Sequence, residues 1–300
     1  MQLRNLIGKI DNIELFRDGE FESLGLVVSV SNKKLLSFVE KLDYVANLPE
    51  GIKCLLVNKE IAAEIPDNYG VIVSENPRLD FFRIHNFLTK NSDEYYPHGN
   101  KTVIGNNCSI SPNACISEVD VVIGNNVVIE EFAVIRNNVV IGDNCIIRAG
   151  VVIGGVGFEF KRNNTTDILA VEHCGGVILE ENVEIQYHTC VDKAIYPWDN
   201  TVIGEHSKLD NFVHVGHAAK IGKRNLLAAN AVIGGRTVIK DDCWVGITTT
   251  IRNGLVIGNN ANINMGAVVT KNVEENITVS GNFAIEHSKF INFIKNIGKV

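Results

Sequence analysis

The segment Leu209-Asp210-Asn211-Phe212-Val213-His214-Val215-Gly216-His217 gathers two histidines, an aspartate and an asparagine into eight residues, from Asp210 to His217. A neutral imidazole accepts a proton near pH 7, so His217 is a candidate general base. Asp210 and Asp199, the latter 18 residues before His217, are candidates to orient its ring. Asn211 and His214 are candidates to touch a substrate. Gly216, Ala218 and Ala219 surround His217, and Ala228, Ala229, Gly234, Gly235 and Gly246 follow. These small residues leave room for a thin, extended ligand, which makes Gly216, Ala229, Gly234, Gly235 and Gly246 candidate contacts for it. Backbone N–H groups around Gly234-Gly235 are candidate donors to a developing oxyanion. A single histidine is more often a packing residue, and it is the clustering that favours chemistry. Upstream, Gly154-Gly155-Val156-Gly157-Phe158-Glu159-Phe160 supplies glycines that permit positive φ and close approach of a ligand. An ordinary flexible corner is the competing reading. No helix follows in phase, so this is not a dinucleotide-binding fingerprint.

The element that must position these residues is a repeat. Ile203, Leu209, Val215, Ile221, Leu227, Ile233, Ile239, Val245, Ile251, Ile257, Ile263 and Val269 place a branched apolar side chain at every sixth position. That period fits neither a helix nor a simple strand. It fits a chain wound as a triangular prism, a parallel β-helix with one short strand and one corner per hexad. Three hexads make one turn, so residues 18 apart stack, with coils about 4.8 Å apart. The repeat begins at Ile104, Ile110 and Ile116, slips by one residue around Val119 to Val121, and resumes from Ile123 to Ile153. Gly154 to Gly176 is too polar and irregular for the wall and reads as an external loop, a kind of segment that is usually functional. The period returns at Leu179, Ile185 and Val191, and Ala194 to Asn200 forms a shorter irregular corner before the long run.

Residues 1–98 lack the period and read as a small α/β domain. Asn32 to Leu42 reads as helical, Leu24 to Val30, Lys53 to Val57 and Gly70 to Val73 as strands, Ala62 to Ile65 as a short helix and Pro77 to Leu88 as a longer one. Lys90 to Asn100 reads as a linker. Residues 99–280 form the prism. Residues 281–300 hold a short closing helix, with apolar residues at helical spacing from Phe283 to Ile297. The two flanking parts would cap the repeat.

The chain has 300 residues, 45% hydrophobic and 21% charged, with a formal net charge of -7. No basic excess is available to neutralise phosphates, which argues against nucleic acid as a partner. No apolar run reaches the roughly 20 residues of a transmembrane helix. The N-terminus lacks a signal-peptide pattern, so the cytoplasm is the expected location. The seven cysteines form no C-x-x-C pair, and neither disulfides nor a zinc knuckle is indicated. Most read as small fillers of the prism interior. His188 and His206, 18 residues apart, would stack one coil apart, but a third ligand at suitable spacing is not evident. A catalytic zinc normally needs three protein ligands, so no metal is expected.

These residues resemble the UDP-3-O-acylglucosamine N-acyltransferases, the lipid A enzymes among the left-handed β-helix acyltransferases, over most of the chain. Asn76-Pro77-Arg78-Leu79-Asp80-Phe81-Phe82-Arg83 is similar to the segment joining that family's N-terminal domain to the helix before its prism. The Gly154–Phe160 segment resembles its Gly-Gly-Asp-Gly-Phe-Gly-Phe loop, and Val191-Asp192-Lys193-Ala194 its Ile-Asp-Arg-Gly-Ala corner. Asp210-Asn211 through Gly216-His217 is similar to its Asp-Asn…Ala-His stretch, whose histidine is the proposed base. The resemblance implies a left-handed β-helix, a nucleotide-sugar-binding role for the N-terminal domain, a homotrimer with active sites between subunits, and the base role for His217. It also implies substrate contacts at Gly155, Gly157, Phe158 and Phe160. Departures are visible. The family's uridine-binding Phe-Leu-Ser-Asn-Pro-Lys-Tyr becomes Ser29-Val30-Ser31-Asn32-Lys33-Lys34-Leu35, which keeps Ser31, Asn32 and Lys34 but loses both aromatic rings. Its Asn-Gly-His becomes Asn253-Gly254-Leu255, and its longer C-terminal helical extension has no counterpart.

The departures point to a relative that transfers an acyl group from acyl-coenzyme A to a different nucleotide-linked amino sugar, such as a dTDP-4-amino-4,6-dideoxyhexose, for surface polysaccharide. The pantetheine arm of the donor would lie along the small-residue groove, with the thioester as co-substrate and no bound cofactor. The alternatives are the lipid A reaction itself with acyl carrier protein as donor, a zinc-dependent hydratase of the same fold, and a non-catalytic scaffold.

Overall fold

A computed structural model describes every residue of the chain except 163–166, 282, 283, 285 and 298–300. Its first part is a five-stranded sheet of β1 (Ile13–Arg17), β2 (Ser23–Leu24), β3 (Leu35–Val39), β4 (Ile52–Val57) and β5 (Gly70–Ser74), in the order β1-β5-β4-β3-β2. Helix α1 (Pro77–Asn91) packs on it. Asn76 caps α1 by accepting from the Leu79 N–H at 3.1 Å, and Pro77 occupies the first turn, where no N–H is needed. Two expectations fail here. Asn32 to Leu42 is not helical. Its apolar centre, Leu35–Val39, is a strand between β2 and β4, buried along most of its length. A short apolar run flanked by charges carries no decisive period, and burial between two strands settles it. The expected strand Leu24 to Val30 shrinks to Ser23–Leu24, with Val28 and Val30 exposed. Ala62 to Glu64 lies in a 3₁₀ segment, Lys59–Glu64, and Ile65 follows it in extended conformation.

The prism is a left-handed parallel β-helix whose three walls are sheets of nine, eight and eight strands. Its register is the predicted one. Val215 pairs with Ile233, Ile233 with Ile251 and Ile251 with Val269, and all four side chains point into a continuous apolar core. The one-residue slip is visible as Ile104 pairing with Ile123 instead of a residue 18 away. Corners turn through residues with φ near +60°, among them Asn126, Asn144, Asn182 and Asn230. Asparagine tolerates that conformation better than most side chains. Cys145 and Cys243 fill the interior as expected, but Cys115 is exposed, and none of the cysteines is paired.

Two insertions break the wall. Ile141 pairs with Leu179, 38 positions on, and Leu179 pairs with Ile203, 24 positions on, where an uninterrupted coil takes 18. The first insertion carries an antiparallel hairpin, Phe160–Arg162 against Ile168–Ala170. Both insertions lean on the N-terminal module. Asn86 donates to the Ala170 carbonyl at 2.7 Å and accepts from the Glu172 N–H at 3.0 Å. Lys161 lies 4.5 Å from the Phe82 ring centre. Trp198 donates to the Leu24 carbonyl at 2.8 Å. Val171, Cys174, Ile195 and Tyr196 join Phe81 and Ile84 in one buried cluster. His85 is buried there between the Tyr95 hydroxyl (2.7 Å) and the Glu172 carbonyl (2.9 Å), and burial lowers its pKa to about 4.

The closing helix, α2, spans His287–Ile297. Phe283 and Ile285, which the sequence reading placed in it, lie outside the described residues. Phe293 and Ile294 are exposed. Among the described residues no helix is long and apolar enough to cross a membrane.

Candidate active site

His217 sits on the corner after the strand His214–Val215, with its side chain 13% exposed. It lines a cleft of about 300 Å³ together with Leu26, Phe38, Glu40, Arg78 and Phe82 of the N-terminal module, Glu159 and Lys161 of the hairpin, and Arg236 and Asn253 of the following coils. A larger cavity of about 640 Å³ lies at the edge of the N-terminal sheet, between Asn12 and Glu75. No histidine lines it.

The small residues have specific work. A methyl group built at Gly235 would lie 2.7 Å from His217 Nε2, so the imidazole can occupy its place only because residue 235 lacks a side chain. A methyl at Gly216 would lie 2.7 Å from the Gly235 nitrogen. The Gly234 N–H donates to the Ile251 carbonyl at 2.9 Å, within the coil-to-coil ladder. The Gly235 N–H has no acceptor among the described residues, which narrows the oxyanion donor to that one group. Gly246 packs against the backbone of Met265, and the Ala229 N–H donates to Asp210 at 3.1 Å.

Neither expected orienting carboxylate reaches the imidazole. Asp210 accepts from the backbone of Asn211 at 2.7 Å and of Ala229. Asp199 pairs with Lys220 at 2.6 Å and accepts from the Asn200 N–H at 2.8 Å. The carboxylate beside His217 is Glu159, with Oε2 3.3 Å from Nε2. Its other oxygen pairs with Lys161. Burial pushes the Glu159 pKa up, but the contacts with His217 and Lys161 outweigh it and bring the value to about 2. Behind the ring, His173 meets His217 edge-on, with centroids 5.8 Å apart. Its Nδ1 faces the Val171 carbonyl at 3.0 Å, and burial, reinforced by His217, lowers its pKa to about 4. Asp192 Oδ2 lies 3.7 Å from His214 Nε2, and burial raises its pKa despite the two nearby histidines. Gly157 closes this group, because a methyl there would touch His173, Asp192 and His217.

The remaining expected contacts scatter. Phe158 is 91% exposed and rests on Phe160, ring centres 4.9 Å apart. Gly155 lies against Asp192. Asn211 accepts from the Tyr187 N–H at 3.2 Å. Ser31 accepts from the Lys33 N–H at 3.2 Å, Asn32 is exposed, and Lys34 pairs with Glu20. None of the three lines the cleft within one chain. His188 and His206 do not stack. The six-residue corner insertion shifts the register, so Ile185 pairs with Leu209 and His188 lies flat on Phe212 at 5.4 Å. Among the described residues no three His, Cys, Asp or Glu side chains gather where they could hold a metal ion.

The sequence reading missed Glu159 and His173 beside the imidazole, and Arg78 and Arg236 in the lining of the cleft. Glu159 stood in plain sight in the glycine segment, in the place of a glycine in the similar motif. His173 gave no signal, since nothing in a polar loop marks which residue turns inward.

Comparison with known proteins agrees with this fold. Residues 120–155 and 200–235 match the family described as bacterial transferase hexapeptide (six repeats). A UDP-3-O-acylglucosamine N-acyltransferase of Helicobacter pylori (strain J99) is 32% identical over 219 residues, covering 65% of this chain and 62% of that protein. UDP-3-O-acylglucosamine N-acyltransferase 2 of Legionella pneumophila (strain Philadelphia 1) is 38% identical over 108 residues, 36% of this chain and 25% of that protein. The chain thus spans less than two thirds of these relatives' own length. Among solved structures, a UDP-N-acetylglucosamine acyltransferase from Campylobacter jejuni superposes with a TM-score of 0.55 at 20% identity, covering 65% of this chain and 79% of that one, a likeness of fold. The chain carries hexapeptide repeats of the kind found in bacterial transferases over these two stretches, on a left-handed parallel β-helix.

Proposed function

We propose that this protein is an N-acyltransferase that moves an acyl group from a thioester donor to the amino group of a nucleotide-linked amino sugar, with a UDP-linked glucosamine derivative as acceptor. The observation that carries the reading is His217 at the inner wall of a cleft shared by the hairpin, the prism and the N-terminal module. In the reaction His217 takes a proton from the attacking amine, a general-base contribution of about 10²–10⁴ in rate. The Gly235 N–H, which has no acceptor among the described residues, donates to the developing oxyanion. Small residues on successive coils, Gly216 and Gly234 among them, leave a groove for the donor's extended arm. The protein works as a homotrimer. Phe132, Phe212, Ile247 and Met265 are exposed large apolar side chains on the prism, which association would cover.

The UDP-linked acceptor is preferred because the relatives that match at 32% and 38% identity are named for it. This departs from the expectation of a dTDP-linked acceptor with acyl-coenzyme A. That second reading keeps one observation in its favour. Ser29 to Leu35 contains no aromatic ring to stack on a base. Incubation of the purified protein with UDP-3-O-acylglucosamine or dTDP-4-amino-4,6-dideoxyhexose, each with acyl carrier protein and coenzyme A thioesters, decides between them by mass of the product. An amide on the UDP-sugar supports the preferred reading. An amide on the dTDP-sugar alone supports the second, and no amide on either contradicts both.

A further inference from the structure

We propose that Glu159 receives the acceptor amine as its ammonium ion beside His217, an assignment that rests on the acyltransferase reading above. Position 159, a glycine in the similar motif, holds a carboxylate in this chain. It comes into the cleft on the arm of the hairpin, two residues before Lys161, and its side chain is 14% exposed. Lys161 occupies Oε1, which turns Oε2 toward His217 at 3.3 Å. A buried carboxylate is stable only when paired, and Lys161 satisfies one of its two oxygens. The other stands beside the nitrogen that acts as base, on the cleft side.

A primary amine on a sugar is largely protonated in the neutral range, and an ammonium with three donors fits an imidazole nitrogen and a carboxylate oxygen held side by side. The bookkeeping of protons is as follows. The ammonium replaces the ring as donor to Glu159 Oε2, and the neutral imidazole, with its N–H on Nδ1, offers it the Nε2 lone pair. His217 takes one proton, which leaves a neutral amine with its lone pair free. That nitrogen attacks the thioester carbonyl, the new C–N bond forms and the C–S bond breaks. The leaving thiolate takes the second nitrogen proton, the product is a neutral amide, and the imidazolium returns its proton to solvent. Glu159 stays ionised throughout and stabilises first the ammonium, then the imidazolium. The other charged or titratable groups around His217 are Lys161 from the hairpin, His173 and Asp192 behind the ring, Arg236 from the next coil, and Arg78 and Glu40 from the N-terminal module. Of these, Asp192 and Glu40 are the other carboxylates. Asp192 lies beside His214, and Glu40 comes from the opposite wall of the cleft.

The test compares the full-length wild type with Glu159→Gln and Glu159→Gly. For each, kcat and KM are measured with the amino acceptor, and binding of the matching hydroxyl acceptor is measured by calorimetry. The wild type should bind the amine about 10- to 100-fold more tightly than the hydroxyl analogue, the worth of one charge-assisted hydrogen bond. Both variants should lose that preference, with KM for the amine rising by the same factor while the hydroxyl analogue binds within about twofold of wild type. The glycine variant supplies a second route should Lys161, left unpaired beside glutamine, prevent folding. Variants that keep the amine preference overturn the assignment. A wild type that acylates no amine overturns it as well, through the failure of the reading beneath it.

Discussion

Between Ile203 and Val269 each coil repeats the one beneath it. Side chains 18 apart stack, and the polar atoms that matter are backbone groups spent on the ladder between coils. Between Gly154 and Asn200 the same prism carries two insertions, and there the pattern reverses. Side chains from separate elements converge, Glu159, Lys161 and His173 come together around His217, and among the described residues His173 Nε2 and His217 Nδ1 are buried without partners. The difference shows a division of labour. The regular region supplies a rigid wall with His217 at one of its corners, while the irregular region supplies the groups that make His217 different from His188 or His206. Coils alone would leave His217 beside glycines. The hairpin gives it a carboxylate, and the N-terminal module closes the cleft.

Substitutions in the two regions should therefore fail in different ways. The largest effect is expected at His217, where alanine should lower kcat by about 10²–10⁴ with the circular dichroism spectrum unchanged. Ile233→Ala, in the regular wall, should cost about 2–5 kcal/mol in urea unfolding, since Ile233 is fully buried, while the substrate KM of the folded protein stays put. Gly235→Ala joins the two regions. Its methyl would displace the imidazole, and a shift of about 1 Å should lower kcat by about 10²-fold with little change in unfolding temperature. Acid should weaken the irregular region in two windows. His85 and His173 are held neutral with pKa values of about 4 against an ordinary 6.5, so the stability tied to their neutral forms is lost as pH falls from 6.5 to 4. Glu159, at about 2 against 4.5, contributes stability that is present above 4.5 and lost as pH falls toward 2. Thermal melting from pH 7 to pH 2 should show both declines in the wild type and a smaller lower one in Glu159→Gln, since Asp18, Asp143 and Asp242 are also held below the usual carboxylate range. The smallest effect is expected at Phe158. Being 91% exposed, it should change stability by no more than about 0.5 kcal/mol as alanine, while weakening acceptor binding in a KM measurement.

The same division governs how much could be read from the sequence. A six-residue period sustained over twelve branched residues leaves no rival architecture, and even the slip at Val119 to Val121 was visible because the period on either side was strict. His217 was legible because it broke a regular background. Inference failed where it carried that register across an interruption. His188 and His206 are 18 apart in sequence, yet the corner insertion makes a coil 24 residues long there. Asp199 sits within that same insertion and turns to Lys220 instead of to the imidazole. Glu159 and His173 belong to a loop whose path depends on packing against α1, through Asn86 and Lys90, and no local pattern encodes that docking. In the N-terminal module, Leu35–Val39 was misread because its neighbours in the sheet, not its own period, decide its conformation.

The central claim is that amide formation occurs at the cleft edge of His217, and the most direct test is a crystal structure with the N-acylated nucleotide-sugar product bound. The account predicts the product's amide nitrogen at hydrogen-bond distance, about 3 Å, from His217 Nε2 and next to Glu159, with its carbonyl oxygen toward the Gly235 N–H. A product seated with its amide elsewhere, for instance in the cavity between Asn12 and Glu75, would contradict it.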